Sequence, residues 1–233
     1  MHSAGQTSVS SPARASQELL LVLLAIAVAW LATRLWLYPL LEVPDNAPLI
    51  LRPIVGCLAA WAVLRSAGQR WTQLGLRRPP SLVGAALATC ALYAVVYWAS
   101  TRLVPLLAAN FPVGSGPVFL AYIRGNALAL VGWLAVAWFV GGFAEELLFR
   151  GFLINRIERA LGGSRIACLV AVVAQAVLFG VMHLHQGTYG FVFAGTIAVI
   201  YGVAYLALGR NLWPLILVHG TWNSVAILRL YAP

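Results

Sequence analysis

The chain consists largely of long apolar stretches separated by short polar segments. Each stretch approaches the about 20 residues that an α-helix needs to cross a bilayer. The pattern predicts a polar tail over residues 1–17 and a single transmembrane domain over residues 18–233. The predicted spans are about 19–41, 47–65, 82–107, 127–155, 165–185, 190–209 and 211–230. The predicted fold class is therefore all-α: a polytopic integral membrane bundle of about seven helices.

Composition supports this reading and excludes other classes of protein. Of the 233 residues, 62% are hydrophobic and 9% are charged, against about 25% charged in soluble domains. A soluble globular protein and a disordered chain are both excluded. The fifteen basic residues are all arginine and give a net charge of +9, but no basic run has interleaved polar surface, so no nucleic-acid partner is expected.

The arginines predict an orientation in the membrane. Two connections, 65–81 and 156–165, are rich in arginine, whereas 42–46 and 186–189 contain none. Cytoplasmic loops carry an excess of basic residues. With seven spans, both arginine-rich connections and the N-terminus are then cytoplasmic, and segment 108–125 is an external loop.

Two adjacent carboxylates interrupt the apolar segment 127–155. Ionisable residues inside a membrane are costly and mark function by default. Glu146 and Arg150 are spaced i, i+4 with the acid first, which favours an intrahelical ion pair. Glu145 points about 100° away from Glu146 on an α-helix, and it is left available as a general acid or base. The alternative is that both carboxylates only hold neighbouring helices together.

Histidines mark two later apolar segments. His183 follows Phe179 by one helical turn, and the aromatic ring is expected to pack beside the imidazole. His219 and Asn223 are spaced i, i+4 in the last segment, so both project from one helical face. The alternative is that these polar side chains have a structural role and only form hydrogen bonds between helices. His185 is interpreted as an interfacial residue.

Together these residues provide the groups that amide hydrolysis requires in an intramembrane polar cavity. A carboxylate and a histidine can activate water, and a histidine with an asparagine can stabilise an oxyanion. Serine and cysteine nucleophiles are not needed. The HExxH spacing of zinc proteases is absent, although Glu145, His183 and His219 have the chemistry to bind a divalent metal such as zinc.

The three polar motifs resemble, in order, those of the CPBP family of intramembrane proteases. This family includes the type II CAAX prenyl endopeptidase and bacterial Abi-type proteins. The matching stretches are Glu145-Glu146-x-x-x-Arg150, Phe179-x-x-x-His183 and His219-x-x-x-Asn223, within a family-like core of about 126–230, and Leu74-Gly75-Leu76-Arg77-Arg78-Pro79 resembles the family's usual lead-in.

The resemblance implies specific roles for these residues. Glu145 and His183 would activate the attacking water, and His219 and Asn223 would stabilise the oxyanion. Glu146 and Arg150 would then be a structural ion pair, and Phe179 would support the site. The expected enzyme is a glutamate-dependent CAAX-type protease with no required cofactor.

The predicted function is hydrolysis of a peptide bond near the C-terminus of a membrane-associated protein or peptide. The expected partners are that substrate and membrane lipids, and the expected location is a bacterial inner membrane. Two alternatives remain at this point. A non-proteolytic scaffold or immunity-type protein would keep the bundle without needing Glu145 or His183 for activity. A small proton-coupled transporter would more often show internal repeats, which the sequence lacks.

Overall fold

In the computed structural model, residues 11–42, 50–112 and 121–232 are described, and within these ranges the chain forms seven long helices and no strand. The helices are α1 (Pro12–Leu40), α2 (Leu51–Ser66), α3 (Leu82–Asn110), α4 (Ala127–Ala160), α5 (Arg165–Met182), α6 (Gly187–Ala207) and α7 (Trp213–Tyr231). The predicted all-α bundle is therefore confirmed. Part of the predicted external loop, residues 113–120, lies outside the described residues.

Among the described residues, five segments are long and apolar enough to cross a membrane: α1, α3, α4, α5 and the segment Leu184–Ala207 that contains α6. Helix α2 has only 16 residues, fewer than the about 20 of a straight span. Helix α7 has 19 residues, but polar side chains, among them His219 and Asn223, lower its mean hydropathy. The protein is an integral membrane protein in which these two helices complete the bundle.

Helix α4 forms the centre of the bundle. Every residue from Glu146 to Ile157 is buried, and α4 packs against α1, α2, α5 and α7. By contrast, α1 and α3 present large apolar side chains such as Leu20 and Leu87 on the surface, as expected of helices that face lipid. The charged side chains within this stretch are therefore enclosed by protein, and their partners must come from α4 itself or from neighbouring helices.

Polar contacts join several helix ends at one end of the bundle. Arg156 near the end of α4 lies 2.6 Å from Glu18 of α1 and donates to Gln69 in the α2–α3 connection at 2.6 Å. Arg210, between α6 and α7, lies 2.7 Å from Glu158 of α4. The helix ends that meet here belong to α1, α2, α4, α6 and α7. If seven helices cross a membrane in alternating directions, these ends all lie on the same side of the membrane.

Gly75 allows two connections to meet closely at this end. Its φ of 108° lies in the left-handed region, and an added Cβ would overlap the carbonyl oxygen of Arg210. The carbonyl oxygen of Gly75 accepts a hydrogen bond from the amide of Leu212 at 3.0 Å. The connection before α3 is thereby fastened to the start of α7.

Helix α1 begins earlier than the predicted end of the polar tail at residue 17. Ser11 caps the helix by accepting from the amide of Arg14, and Pro12 occupies the first turn, where proline is well tolerated. Arg14 also pairs with Glu18 at 3.0 Å. Residues 12–17 are therefore helical because their local capping signals prevail over their polar composition, and residues 1–10 lie outside the described residues.

Candidate active site

Glu146 of α4 is the centre of a buried polar cluster. Its side chain is fully buried, and Oε1 accepts from Arg150 at 2.9 Å. The same oxygen lies 2.7 Å from Nδ1 of His219 on α7. Because a carboxylate only accepts, the imidazole donates from Nδ1. Glu146 therefore connects an intrahelical ion pair to a second helix, which its spacing with Arg150 alone does not reveal.

Aromatic rings enclose the guanidinium of Arg150. Its Cζ lies 4.9 Å from the ring centroid of Phe179 on α5 and 4.9 Å from that of Tyr201 on α6. A cation over an aromatic face is stabilised by the ring quadrupole, most strongly when it is desolvated. The Tyr201 ring also meets the His219 ring edge-on at 5.7 Å. Four helices thus surround one buried positive charge.

Glu145 faces the opposite nitrogen of His219. Its Oε2 lies 3.7 Å from His219 Nε2, so the imidazole stands between two adjacent carboxylates. The segment Val136–Ile154 is wound as a π-helix, a form found frequently at functional sites. A π-helix rises less along its axis per residue than an α-helix does. Glu145 therefore lies closer to the start of α4 than it would in a straight α-helix.

His183 lies immediately after the last residue of α5. Its Nδ1 is 2.9 Å from the carbonyl oxygen of Phe179, so this nitrogen carries the proton and Nε2 of a neutral ring is an acceptor. The rings of Phe179 and His183 lie 4.7 Å apart, and the Phe179 ring is 6.2 Å from His219. Phe179 therefore packs between the two histidines.

Small residues bring α7 close to α4 beside the cluster. A Cβ added at Gly141 would lie 2.5 Å from Asn223 Nδ2 and 3.7 Å from His219 Nε2. A Cβ at Gly220 would meet the Trp138 ring at 2.5 Å. Glycines permit such close helix contacts in membranes. The amide of Asn223 and the imidazole of His219 therefore both pack against α4 at Gly141.

The structure brings most of the predicted residues into one cluster. Glu145, Glu146, Arg150, His219 and Asn223 meet at the α4–α7 contact, and His183 adjoins them through Phe179. Sequence reasoning missed Tyr201 and the glycines at 141 and 220. The close contact could have been predicted from glycines that recur beside polar residues in apolar helices. Nothing in the sequence distinguishes Tyr201 from an ordinary core residue.

The cluster does not have the arrangement of a metal centre. Within residues 11–42, 50–112 and 121–232, no group of three or more His, Cys, Asp or Glu side chains is placed to hold one ion. A catalytic zinc usually has three protein ligands. Glu145, His183 and His219 are not grouped in this way, although the bond from His219 Nδ1 to Glu146 leaves Nε2 free, as in histidines that bind metals.

The fold and the cluster define a polytopic membrane protein with carboxylates and histidines buried together inside its bundle. Residues 127–225 match the model of a family described as type II CAAX prenyl endopeptidase Rce1-like. The match spans α4, α5, α6 and most of α7, and it includes every candidate site residue. This segment is therefore similar to the Rce1-like family, and the predicted CPBP resemblance is confirmed over these residues. No curated protein and no solved structure gives a significant match to the chain.

The position of Glu146 leads to a prediction about stability. Glu146→Gln should lower the free energy of unfolding by about 3–5 kcal/mol, because Arg150 is left buried without its counter-charge. The matched control is Glu158→Gln, which weakens a partly exposed pair with Arg210 and should cost about 1 kcal/mol or less. Unfolding in mixed micelles measures both. Equal losses in the two variants would contradict the assigned role of Glu146.

Proposed function

We propose that the protein is an intramembrane endopeptidase that cleaves near the C-terminus of a membrane-associated substrate. The observation that carries this proposal is the approach of Glu145 Oε2 to His219 Nε2 at 3.7 Å, inside an apolar bundle. A structural ion pair requires only Glu146 and Arg150. Hydrolysis of a peptide bond would use all of the remaining polar groups, namely the second carboxylate, the two histidines and the amide.

In the proposed reaction, Glu145 and His183 activate a water molecule. The water oxygen attacks the carbonyl carbon of the scissile bond while its proton passes to the Glu145 carboxylate, with His183 Nε2 available as a second acceptor. The proton is then given to the leaving amine as the C–N bond breaks. The products are a new carboxylate on the substrate and a free amine on the released C-terminal fragment.

His219 and Asn223 are proposed to stabilise the oxyanion. The Asn223 amide donates from Nδ2, which faces Gly141. Because His219 uses Nδ1–H on Glu146, it can also donate from Nε2 only as an imidazolium. Glu146 supplies counter-charge for that form throughout, and Glu145 does so until it takes the proton of the water. Glu146 and Arg150 act in this scheme by orienting the ring of His219.

The proposed orientation places the N-terminus in the cytoplasm of a bacterial inner membrane. The support is the clustering of arginines at one end of the bundle, including Arg156 and Arg210, since cytoplasmic ends are enriched in basic residues. His183 follows the opposite end of α5, so the site is expected to open toward the outer side. Removal of a C-terminal segment exposed on that side is the substrate class this geometry favours.

The decisive variant for the general base is Glu145→Gln. It nearly preserves shape and volume but removes the proton acceptor, so cleavage should fall by at least the about 10²–10⁴-fold expected of acid–base catalysis. The assay uses proteoliposomes and an internally quenched C-terminal peptide, with and without an S-farnesyl group. Retained thermal stability shows that the variant is folded. Cleavage at the wild-type rate would exclude Glu145 as the base and favour a non-proteolytic role for the bundle.

A second prediction tests the packing of Asn223 against Gly141. Gly141→Ala places a methyl group 2.5 Å from Asn223 Nδ2 and should lower kcat by about 10²-fold, the scale of one lost oxyanion donor. Gly132→Ala, on the same helix with no neighbour within 4 Å of its added Cβ, is the matched control and should keep full activity. Unchanged turnover in Gly141→Ala would remove Asn223 from the proposed oxyanion site.

A third prediction concerns metal. We expect cleavage to survive treatment of the detergent-purified protein with a strong chelator, because Glu145, His183 and His219 do not form a three-ligand set. Elemental analysis must show substoichiometric metal in the stripped sample. Activity that is lost on stripping and restored by zinc would instead establish metal-dependent catalysis.

A further inference from the structure

A second feature near the cluster is a cavity with apolar walls and a cationic end. It has a volume of about 520 Å³ and lies between α1, α4 and α5, within the about 300–1,000 Å³ typical of ligand pockets. Leu23, Ile26 and Leu153 are among its apolar lining residues. Arg34, Arg52 and His185 carry nitrogen groups into its lining, all from the helix ends opposite the arginine-rich connections.

Arg52 is one of the cationic residues at this end of the cavity. It donates from one terminal nitrogen to the carbonyl oxygen of Met182 at 3.1 Å, which caps the C-terminal end of α5. Its Nε is fully buried and has no hydrogen-bond partner among the described residues. Leaving such a charged donor unpaired is costly. Arg52 also lines the cavity, so its guanidinium is placed to meet an anionic ligand there as well as to cap α5.

Arg52 also lies between the cavity and the proposed active site. The residue that follows its acceptor Met182 is His183, and Arg52 is close enough to Glu145 and His183 to interact with both electrostatically. Phe149 lines the cavity on one side and packs edge-on against Phe179 at 4.9 Å on the other. A ligand in the cavity would therefore extend from the proposed site of hydrolysis.

We propose that Arg52 binds the C-terminal carboxylate of the peptide substrate while the cavity holds the apolar side chains of its last residues. The planar guanidinium matches a carboxylate through paired hydrogen bonds. A lipid phosphate, by contrast, lies in the headgroup region outside the hydrocarbon core, whereas the cavity that Arg52 lines lies between helices of the bundle. Arg52 would thus set the distance between the cleaved bond and the chain end. This inference rests on the proposed function.

The test compares two internally quenched peptides that differ only in a free C-terminal carboxylate or a carboxamide. In neutral-lipid proteoliposomes, the wild type should cleave the acid with a kcat/KM about 10- to 100-fold higher, mainly through KM, as expected of a charge-assisted hydrogen bond. Arg52→Gln should abolish this preference, so that the acid and the amide are cleaved with equal kcat/KM. Arg52→Lys should retain part of the preference.

Arg102→Gln is the control for the change in net charge, since Arg102 is exposed on α3, and it should keep the wild-type preference. Equal cleavage of both peptides by the wild type would overturn the inference, as would an Arg52→Gln variant that slows both equally. An Arg52-dependent response to phosphatidylglycerol, with equal use of the two peptides, would identify a lipid headgroup as the anion instead.

Failure of the wild type to cleave either peptide would count against the proposed function, not against the carboxylate site. The site is then tested by binding of labelled acid and amide peptides to Glu145→Gln protein, with and without Arg52→Gln. Tighter binding of the acid that disappears with Arg52→Gln supports the site. Equal affinities for the two peptides overturn it.

Discussion

The carboxylate of Glu146 is the interaction on which the interior of this bundle depends. One oxygen accepts from Arg150 of the same helix and from His219 of another. A single charge in an apolar bundle is costly, and removing one partner of a buried pair leaves the other uncompensated. Glu146 therefore satisfies a cation on α4 and fixes α7 in one rotational setting, which determines where His219 and Asn223 point.

The residues around this carboxylate follow from the need to enclose it. Arg150 lies against the rings of Phe179 and Tyr201, which cover a charge that has no access to water. Gly141 and Gly220 let α4 and α7 approach until side chains of one meet backbone of the other. Rigid enclosure of this kind keeps polar groups in a fixed position before substrate binds, which electrostatic catalysis requires.

The number and order of helices could be predicted because apolar length is a direct consequence of bilayer thickness. The pairing of Glu146 with Arg150 could also be predicted, because an i, i+4 spacing within one helix depends only on local sequence. The bond from Glu146 to His219 was not, because it joins residues 73 apart and depends on how α4 and α7 pack. The π-winding and the start of α1 at Pro12 likewise depend on hydrogen bonding that hydropathy does not reveal.

The same distinction applies to the residues that adjoin the cluster. Arg52 is one of several arginines near predicted helix ends, and sequence alone gives no reason to separate it from the others. Its burial and its bond to Met182 arise from the packing of α2 against α4 and α1. Local spacing thus identified the polar groups, whereas tertiary packing determines which of them face one another.

Glu146 couples α4 to α7 through His219, and a double-mutant cycle measures that coupling directly. The free energies of unfolding of wild type, Glu146→Gln, His219→Gln and the double variant are compared in mixed micelles. Residues that share a hydrogen-bonded network show interaction energies of about 0.5–3 kcal/mol, and a value in that range is predicted here. Additivity within about 0.5 kcal/mol would contradict the account, because it would show that the two side chains contribute independently.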